Sequence, residues 1–353
     1  DNGVRVPAMR AAYATKIGGD EPLANLEIGE LPAPEPGRGE VRVRVEAVSL
    51  NHHDLWTLRG QVGTPISFPR VLGCDGGGVV DAYGPDRPAG TPDPGTPVVL
   101  YPVVSRRDPT LRDGDETLSK DFGMLSDLVD GTLAEYVVLP AVNALPRPAH
   151  LSAAEAATLG TTYLTAYRAL FGRAGLRPGD SVLVQGASGG LSTAAIQLGR
   201  AAGLKVYATS RDEAKRQRAL AAGAHVALDT NSAGRAVLQA TGGRGVDCVL
   251  DSVGEATWRE SLRSVRVGGC VVVPGATAGA NPPADLNRVY WRQISIIGSS
   301  MGSLAEMYAL VQLVEATGLR PLLDETFPLV ETRAAMARMA AGQHVGKIIV
   351  EVG

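Results

Sequence analysis

The rhythm of hydrophobic and polar positions divides this chain in two. Between residues 9 and 148 the pattern is short and strand-like. Residues 41–48 alternate, with Val41, Val43 and Val45 separated by Arg42, Arg44 and Glu46, which predicts a half-buried strand. Pro32, Pro34, Pro36, Gly37 and Gly39 precede it. Residues 71–80 set Gly73, Gly76, Gly77 and Gly78 among apolar neighbours, as expected of strands that turn sharply in a small barrel. A Pro/Gly/Asp loop at 86–97 and an apolar run at 96–104 follow. The polar, charged stretch 105–127 reads as a surface lobe, and 131–139 as another strand.

From residue 152 the period lengthens. Ser152 followed by Glu155 forms a capping box at a helix start. Strands are predicted at 245–251, 268–274 and 294–299, with helices at 255–264, 304–316 and 331–341. A final strand at 346–352 has to pair somewhere and is assigned back to the first domain. Alternation of strand and helix implies a doubly wound parallel sheet. The fold class is therefore α/β. A β-rich domain covers 1–151 and is completed by 301–353, and a parallel-sheet domain covers 152–300.

The stretch 181–215 supplies the first chemistry. An apolar run leads into Gly186, Ala187, Ser188, Gly189, Gly190, Leu191 and Ser192, then an apolar helical pattern and a second apolar run ending at Ser210. Strand, glycine-rich turn, helix and strand together form a dinucleotide-binding unit. Small residues let the backbone approach a pyrophosphate, and the helix N-terminus offers free N–H groups. The fingerprint is imperfect, reading Ala187-x-Gly189-x-x-Ser192 with Gly186 added. A tight turn without a ligand would share it but leaves the end of the second strand unexplained. An NAD site usually places an acidic residue there. Here stand Ser210 and Arg211, with Lys215 one helical turn on, a set suited to a 2′-phosphate. Asp212 and Glu213 belong to the first turn of the next helix, where acidic residues complement the dipole. The cofactor expected is NADP(H), the alternative being a merely solvated basic helix start.

Composition narrows the rest. A chain of 353 residues is comfortable for two domains, and a net charge of −3 suggests no nucleic-acid partner. No apolar run reaches the ~20 residues of a membrane span, and no signal peptide is visible. Residues 1–8 stand outside the periodic pattern, which begins near Met9. Three cysteines, Cys74, Cys248 and Cys270, at unrelated spacings imply a reducing compartment, taken as the cytoplasm, and no disulfide framework. Cys248 and Cys270 lie in apolar runs and read as small core residues.

Several segments in order resemble the medium-chain dehydrogenase/reductase superfamily over almost the whole chain. They include Asn51-His52-His53-Asp54-Leu55-Trp56, Gly73-Cys74-Asp75-Gly76-Gly77-Gly78, Gly131-Thr132-Leu133-Ala134-Glu135-Tyr136, the glycine-rich turn, Asp251-Ser252-Val253-Gly254 and Gly346-Lys347. The resemblance implies a GroES-like catalytic domain, a Rossmann domain and a catalytic cleft between them. It also implies a homodimer formed through the edge strand near residue 296. The zinc alcohol dehydrogenases of this superfamily bind their catalytic zinc through Cys, His and Cys, and the matching positions here are Asn51, Cys74 and Thr161. A single cysteine does not supply the three protein ligands of a catalytic zinc. His52 and His53, taken as strand neighbours, point to opposite faces and do not restore the set together. The lobe 105–127 contains no cysteine for a second, structural zinc.

The expectation is a zinc-free, NADPH-dependent oxidoreductase that passes hydride to a quinone or an α,β-unsaturated carbonyl. By resemblance, Asn51 donates to a substrate carbonyl, His53 donates a proton, and Tyr163 completes the catalytic candidates. Thr165 faces the nicotinamide, and Lys347 approaches the nicotinamide side or the phosphates. Asp54 is structural. Two alternatives stand beside this reading. One is an alcohol dehydrogenase with an atypical site from Cys74, Asp75 and one histidine. The other is a cofactor-binding protein without turnover, for which Ser192 crowding the pyrophosphate turn is the argument.

Overall fold

Alternating valines and arginines build the central strand of the first unit in the computed structural model, which describes residues 7–63, 65–105, 115–342 and 344–353. Two strands come first, Ala8–Ala14 (β1) and Leu26–Pro32 (β2), paired antiparallel. Glu40–Ser49 (β3) follows and buries Val41, Val43 and Val45 on one face. His52–Leu58 (α1), Arg70–Val71 (β4), Gly77–Tyr83 (β5) and Pro97–Leu100 (β6) come next. Tyr136–Pro140 (β7), Ala144–Pro146 (β8) and Ala153–Ala157 (α2) follow. β5 lies antiparallel to β3, with register shifts at Arg42/Val43 and Val45/Ala47. Glycine is required there: a Cβ on Gly78 would stand 2.2 Å from the Arg44 carbonyl oxygen. The glycines read from the sequence as sharp turns thus serve close strand approach and bulges.

The second unit is a six-stranded sheet. Leu164–Tyr167 (α3) precedes Ser181–Val184 (β9), Gly190–Ala201 (α4) and Lys205–Thr209 (β10). Glu213–Ala221 (α5), Val226–Leu228 (β11), Ala233–Ala240 (α6) and Val246–Leu250 (β12) follow. Trp258–Ser264 (α7), Val265–Val273 (β13), Leu286–Trp291 (α8) and Ser295–Gly298 (β14) complete it. All five strand pairings are parallel, in the order β11-β10-β9-β12-β13-β14. The order reverses between β9 and β12, the switch point of a doubly wound sheet. Leu183, Tyr207, Val249, Val271, Trp258 and Leu262 are among its core.

The chain then returns to the first unit through Leu304–Thr317 (α9), Leu323–Pro328 (β15), Thr332–Ala340 (α10) and Lys347–Glu351 (β16). β16 pairs antiparallel with β3 and parallel with β15, so the final strand does rejoin the first domain. The two units are Asp1–Thr161 with Ser303–Gly353, and Thr162–Gly302. The expected division at 151/152 therefore falls ten residues early, and that at 300/301 two residues early. The Ser152 capping box forms as read, yet the helix it starts, α2, packs on β3, β5 and β6 of the first unit. Of the expected surface lobe, residues 106–114 lie outside the described residues, as do residues 1–6 of the N-terminal stretch. The end of the lobe is not solvated: Met124, Leu125, Ser126 and Asp127 are buried. Among the described residues no helix is long and apolar enough to cross a membrane.

Candidate active site

In the first unit the site grows from the junction of β3 and α1. Asn51 stands between them in extended conformation, and Asp54, one turn on, accepts its N–H at 2.8 Å. The other oxygen of Asp54 accepts the N–H of Gly73 at 3.1 Å, so one carboxylate fixes the start of α1 against the loop before β5. Asp54 is structural, as expected. That loop delivers Cys74 and Asp75, both fully buried.

Asn51, Cys74 and Thr161 converge, as the resemblance implied. The Asn51 carboxamide donates to Cys74 Sγ (3.4 Å), to Asp75 Oδ2 (2.8 Å) and to the Ser49 carbonyl (3.1 Å). Cys74 Sγ lies 3.5 Å from Thr161 Oγ1. Into this cluster β16 brings the buried Lys347, whose ammonium donates to Asn51 Oδ1 and to the Leu50 carbonyl, each at 2.6 Å. Both ends of the Asn51 carboxamide are thus committed within the protein, which sets it as a brace rather than the substrate donor expected. Lys347, expected at the nicotinamide or the phosphates, is likewise committed, because pairing of β16 with β3 places it beside Leu50 and Asn51.

Burial dominates the charges here. It raises Asp75 to a pKa of about 6 against the pull of Lys347. It pushes the Cys74 thiol well above its ordinary range, helped by the negative charges of Asp54 and Asp75, and it lowers Lys347. Gly160 makes room for Asp75, since a Cβ there would meet its Oδ1 at 2.7 Å. This set does not suit a tetrahedral zinc. At the three positions matching the zinc ligands it offers an amide turned N–H-first towards the sulfur, one cysteine and a hydroxyl, beside a lysine ammonium, where a catalytic zinc needs three ligands among thiolates, imidazoles and carboxylates. Among the described residues no group of three or more His, Cys, Asp and Glu could hold a metal ion.

The two histidines open α1 rather than ending a strand. On a helix, adjacent residues diverge without facing opposite ways. His52 is exposed and stacks on Trp56, while His53 turns inward, its Nε2 2.9 Å from Asp127 Oδ1. Burial opposes charge on His53, but the hydrogen bond and charge of Asp127, with Asp54 and Asp75 behind it, prevail and raise its pKa. Asp127 went unnoticed in the sequence, where it is one acid in a charged lobe and 74 residues from its partner.

In the second unit the glycine-rich turn follows β9. Gly186 has φ +76°, and its N–H donates to Thr209 Oγ1 at 3.3 Å. The next N–H, of Ala187, donates to the Thr209 carbonyl at 2.7 Å, and that of Ser188 to the Gly186 carbonyl at 2.9 Å. Gly189 caps α4, and nothing lies within 4 Å of where its Cβ would stand. The N–H groups of Gly190, Leu191 and Ser192 open the helix, where no intrahelical acceptor reaches them. Ser192 does not crowd this turn. It is buried, with its hydroxyl donating back to the Gln185 carbonyl at 3.2 Å.

At the end of β10, Ser210 is buried, Arg211 exposed and Lys215 half-buried. Asp212 caps α5 by accepting the Lys215 N–H at 2.8 Å, and Glu213 pairs with Arg216, so both acids belong to the helix start as expected. Arg216, which the sequence reading passed over, donates to the Ser210 carbonyl at 2.7 Å and holds this corner. Its signal was the three-residue spacing from Glu213. Thr165 Oγ1 lies 3.8 Å from Met301 Sδ. Tyr163 is fully buried and donates its hydroxyl to Gln197 on α4. The turn, its open helix end and the basic corner fit a phosphorylated dinucleotide.

Comparison with known proteins gives the family. Residues 37–149 match the alcohol dehydrogenase GroES-like domain, and residues 190–316 match the zinc-binding dehydrogenase family. A zinc-type alcohol dehydrogenase-like protein of Schizosaccharomyces pombe is 30% identical over 98% of this chain and 99% of its own. The chain belongs to the medium-chain dehydrogenase/reductase superfamily. Crotonyl-CoA reductase of Streptomyces collinus is 28% identical over 93% of this chain and 82% of its own. Human quinone oxidoreductase is 27% identical over 97% of both. Among solved structures, an NAD-dependent alcohol dehydrogenase aligns with TM-score 0.90 and 36% identity, covering 98% of this chain and all of that one. A crotonyl-CoA carboxylase/reductase in complex with NADP aligns with TM-score 0.88 and 27% identity, covering 98% and 95%. The superfamily architecture, a GroES-like domain and a Rossmann domain, is the one described above.

Proposed function

We propose that this oxidoreductase is a zinc-independent, NADPH-dependent reductase of quinones or α,β-unsaturated carbonyls. The observation that carries the reading is the cluster Asn51–Cys74–Thr161, where a carboxamide, a single cysteine and a hydroxyl stand at the zinc positions and Lys347 adds a buried ammonium. Without a Lewis acid, alcohol oxidation loses its usual activation, whereas conjugated acceptors need little. Among the relatives, crotonyl-CoA reductase and quinone oxidoreductase support such acceptors. The corner of Ser210, Arg211 and Lys215 favours NADP(H), and the neighbour that holds NADP supports it.

The cofactor supplies the hydride. The N–H groups of Gly189, Gly190, Leu191 and Ser192 hold its pyrophosphate, with Gly186 and Ser188 shaping the turn, and Ser210, Arg211 and Lys215 grip its 2′-phosphate. Thr165 borders the nicotinamide. His53, whose pKa Asp127 raises, is the proton donor in this reading. With Nε2 against Asp127, Nδ1 is the nitrogen left to pass a proton to charge developing on the reduced substrate. The tucked position of Ser192 removes the argument for a binding protein without turnover.

The protein is further proposed to act as a homodimer on a small-molecule substrate in the cytoplasm. Its three cysteines are free, as suits a reducing compartment. The test of the function pairs elemental analysis for zinc with NADPH oxidation against 1,4-benzoquinone and a simple enone on one sample. Turnover without zinc is expected. Stoichiometric zinc would instead restore the alcohol dehydrogenase reading built on Cys74, Asp75 and a histidine.

A further inference from the structure

A buried hydrogen-bonded chain runs beneath the glycine-rich turn, through residues that, Gly186 apart, the reaction above does not use. At its centre is Gln185, fully buried directly after β9. Its Oε1 accepts from Thr209 Oγ1 at 2.6 Å, and its Nε2 donates to Ser261 Oγ at 3.0 Å. Ser261, on α7, donates to Asp251 Oδ2 at 2.6 Å. The other oxygen of Asp251 accepts the N–H groups of Val253 and Gly254 at 2.9 and 3.0 Å. At the far end, Thr209 Oγ1 accepts the Gly186 N–H.

The direction of this chain is fixed from one end. A carboxylate that receives two backbone N–H groups is an acceptor, so Ser261 must donate to it. The lone pairs of Ser261 then face the Gln185 amide nitrogen, which sets the orientation of that amide. Its oxygen must face Thr209, which donates to it and is left to accept from Gly186. Every donor points towards Asp251, and in such a series each bond polarises the next. The chain joins the ends of β10, β9 and β12 and so spans the strand reversal, where dinucleotides lie in doubly wound sheets.

We propose that Gln185 is a positioning residue for the cofactor, holding the phosphate-binding turn through Thr209 and Gly186 without touching the dinucleotide. The inference rests on the NADP(H) reading above. It differs from the role of Arg211 in one respect. The pyrophosphate is common to both nicotinamide cofactors, so Gln185 sets affinity for both and leaves their ratio alone.

The experiment measures dissociation constants of NADPH and NADH by fluorescence titration for the wild type, Gln185→Met, Gln185→Glu and Ser261→Ala, with thermal melts as a fold control. Gln185→Met keeps the shape and removes both bonds. It is expected to weaken both cofactors by about tenfold, the worth of one to two buried hydrogen bonds, with the NADPH/NADH ratio within twofold of wild type. Gln185→Glu separates direction from bulk. As the neutral acid it donates to Ser261 and accepts from Thr209, so the chain is intact. Ionised, it offers Ser261 only an acceptor, in competition with Asp251. Its binding should therefore weaken between pH 6 and pH 8 by about fivefold more than the wild type's, a response that a packing role alone would not give. Should Gln185→Met fail to fold, Ser261→Ala removes the same link from the other side. Constants within twofold of wild type in the folded variants, with Gln185→Glu following the wild-type pH profile, overturn the proposal while NADP(H) binding stands. A wild type that binds neither cofactor overturns both.

Discussion

In the function proposed, Arg211 and Lys215 make a choice that the glycine-rich turn leaves open. A pyrophosphate on the turn is common to NAD and NADP, whereas a basic corner after β10 would meet only the 2′-phosphate. A charge-assisted hydrogen bond contributes about 1.5–3 kcal/mol, so Arg211→Ala should weaken NADPH by about 10- to 100-fold and NADH by no more than about twofold. Equal losses for both, in the same titration, would remove Arg211 from the 2′-phosphate. His53 offers a second test. Its pKa is raised, so the imidazolium persists above the ordinary histidine range and is lost as pH rises through the folded value. Activity that needs this proton declines along that alkaline limb. Asp127→Asn removes the charge that opposes burial, so the limb should move to lower pH, and an unmoved limb would mean another group supplies the proton. At this scale the sequence was readable where chemistry is local. The proposals for Ser210 and Arg211, and the residue types at the zinc positions, needed only residue identity. The fates of Asn51 and Lys347 did not show, because they depend on strands 296 residues apart pairing at one register.

That pairing makes the ends of β3 and β16 a single electrostatic element. Lys347 carries a buried positive charge and Asp75 a buried negative one, with Asn51 between them. Removing one partner of a buried pair leaves the other uncompensated, at a cost of about 3–5 kcal/mol. Lys347→Met should lose about that much unfolding free energy at pH 8. At pH 5 the loss should be smaller, since Asp75, whose pKa already stands at about 6, takes up a proton and sheds its unpaired charge. Urea unfolding at the two pH values measures the difference. A second substitution, Asp75→Asn, should recover most of the pH 8 loss, and a deficit equal at both pH values would show that Lys347 acts by packing alone. Elements with strong periodicity, such as β3, the alternating strands of the second unit and α9, stood out in the sequence. α1 did not. It is seven residues long and follows an apolar strand without a break, and only Asn51, read there for chemistry, and Asp54, read there as structural, mark its start. α2 was legible as a helix but not as a member of the first unit, because its partners on β3, β5 and β6 lie far back in the chain.

For the whole molecule, the open question is what meets the free edge of the parallel sheet. β14 pairs with β13 on one side and ends the described sheet on the other, with its residues largely exposed. Its unpaired N–H and carbonyl groups form a template for another strand. Beside it α8 presents Tyr290 at 64% and Trp291 at 79% exposure, and Leu286, Val267 and Ile296 are also exposed. Exposed apolar groups on the edge strand and on the helix that precedes it in the chain favour association, and a twofold axis would let each edge meet its own copy. The expected species in light scattering is two protomers. Ile296→Lys places a charge on the edge, and Trp291→Glu removes the largest apolar group beside it; neither touches the cofactor turn or the Asn51 cluster. Together they should yield one protomer, still folded and still binding NADPH. A wild type that is already a single protomer would show that this edge is protected by other means. A variant that remains paired would place the interface elsewhere on the molecule.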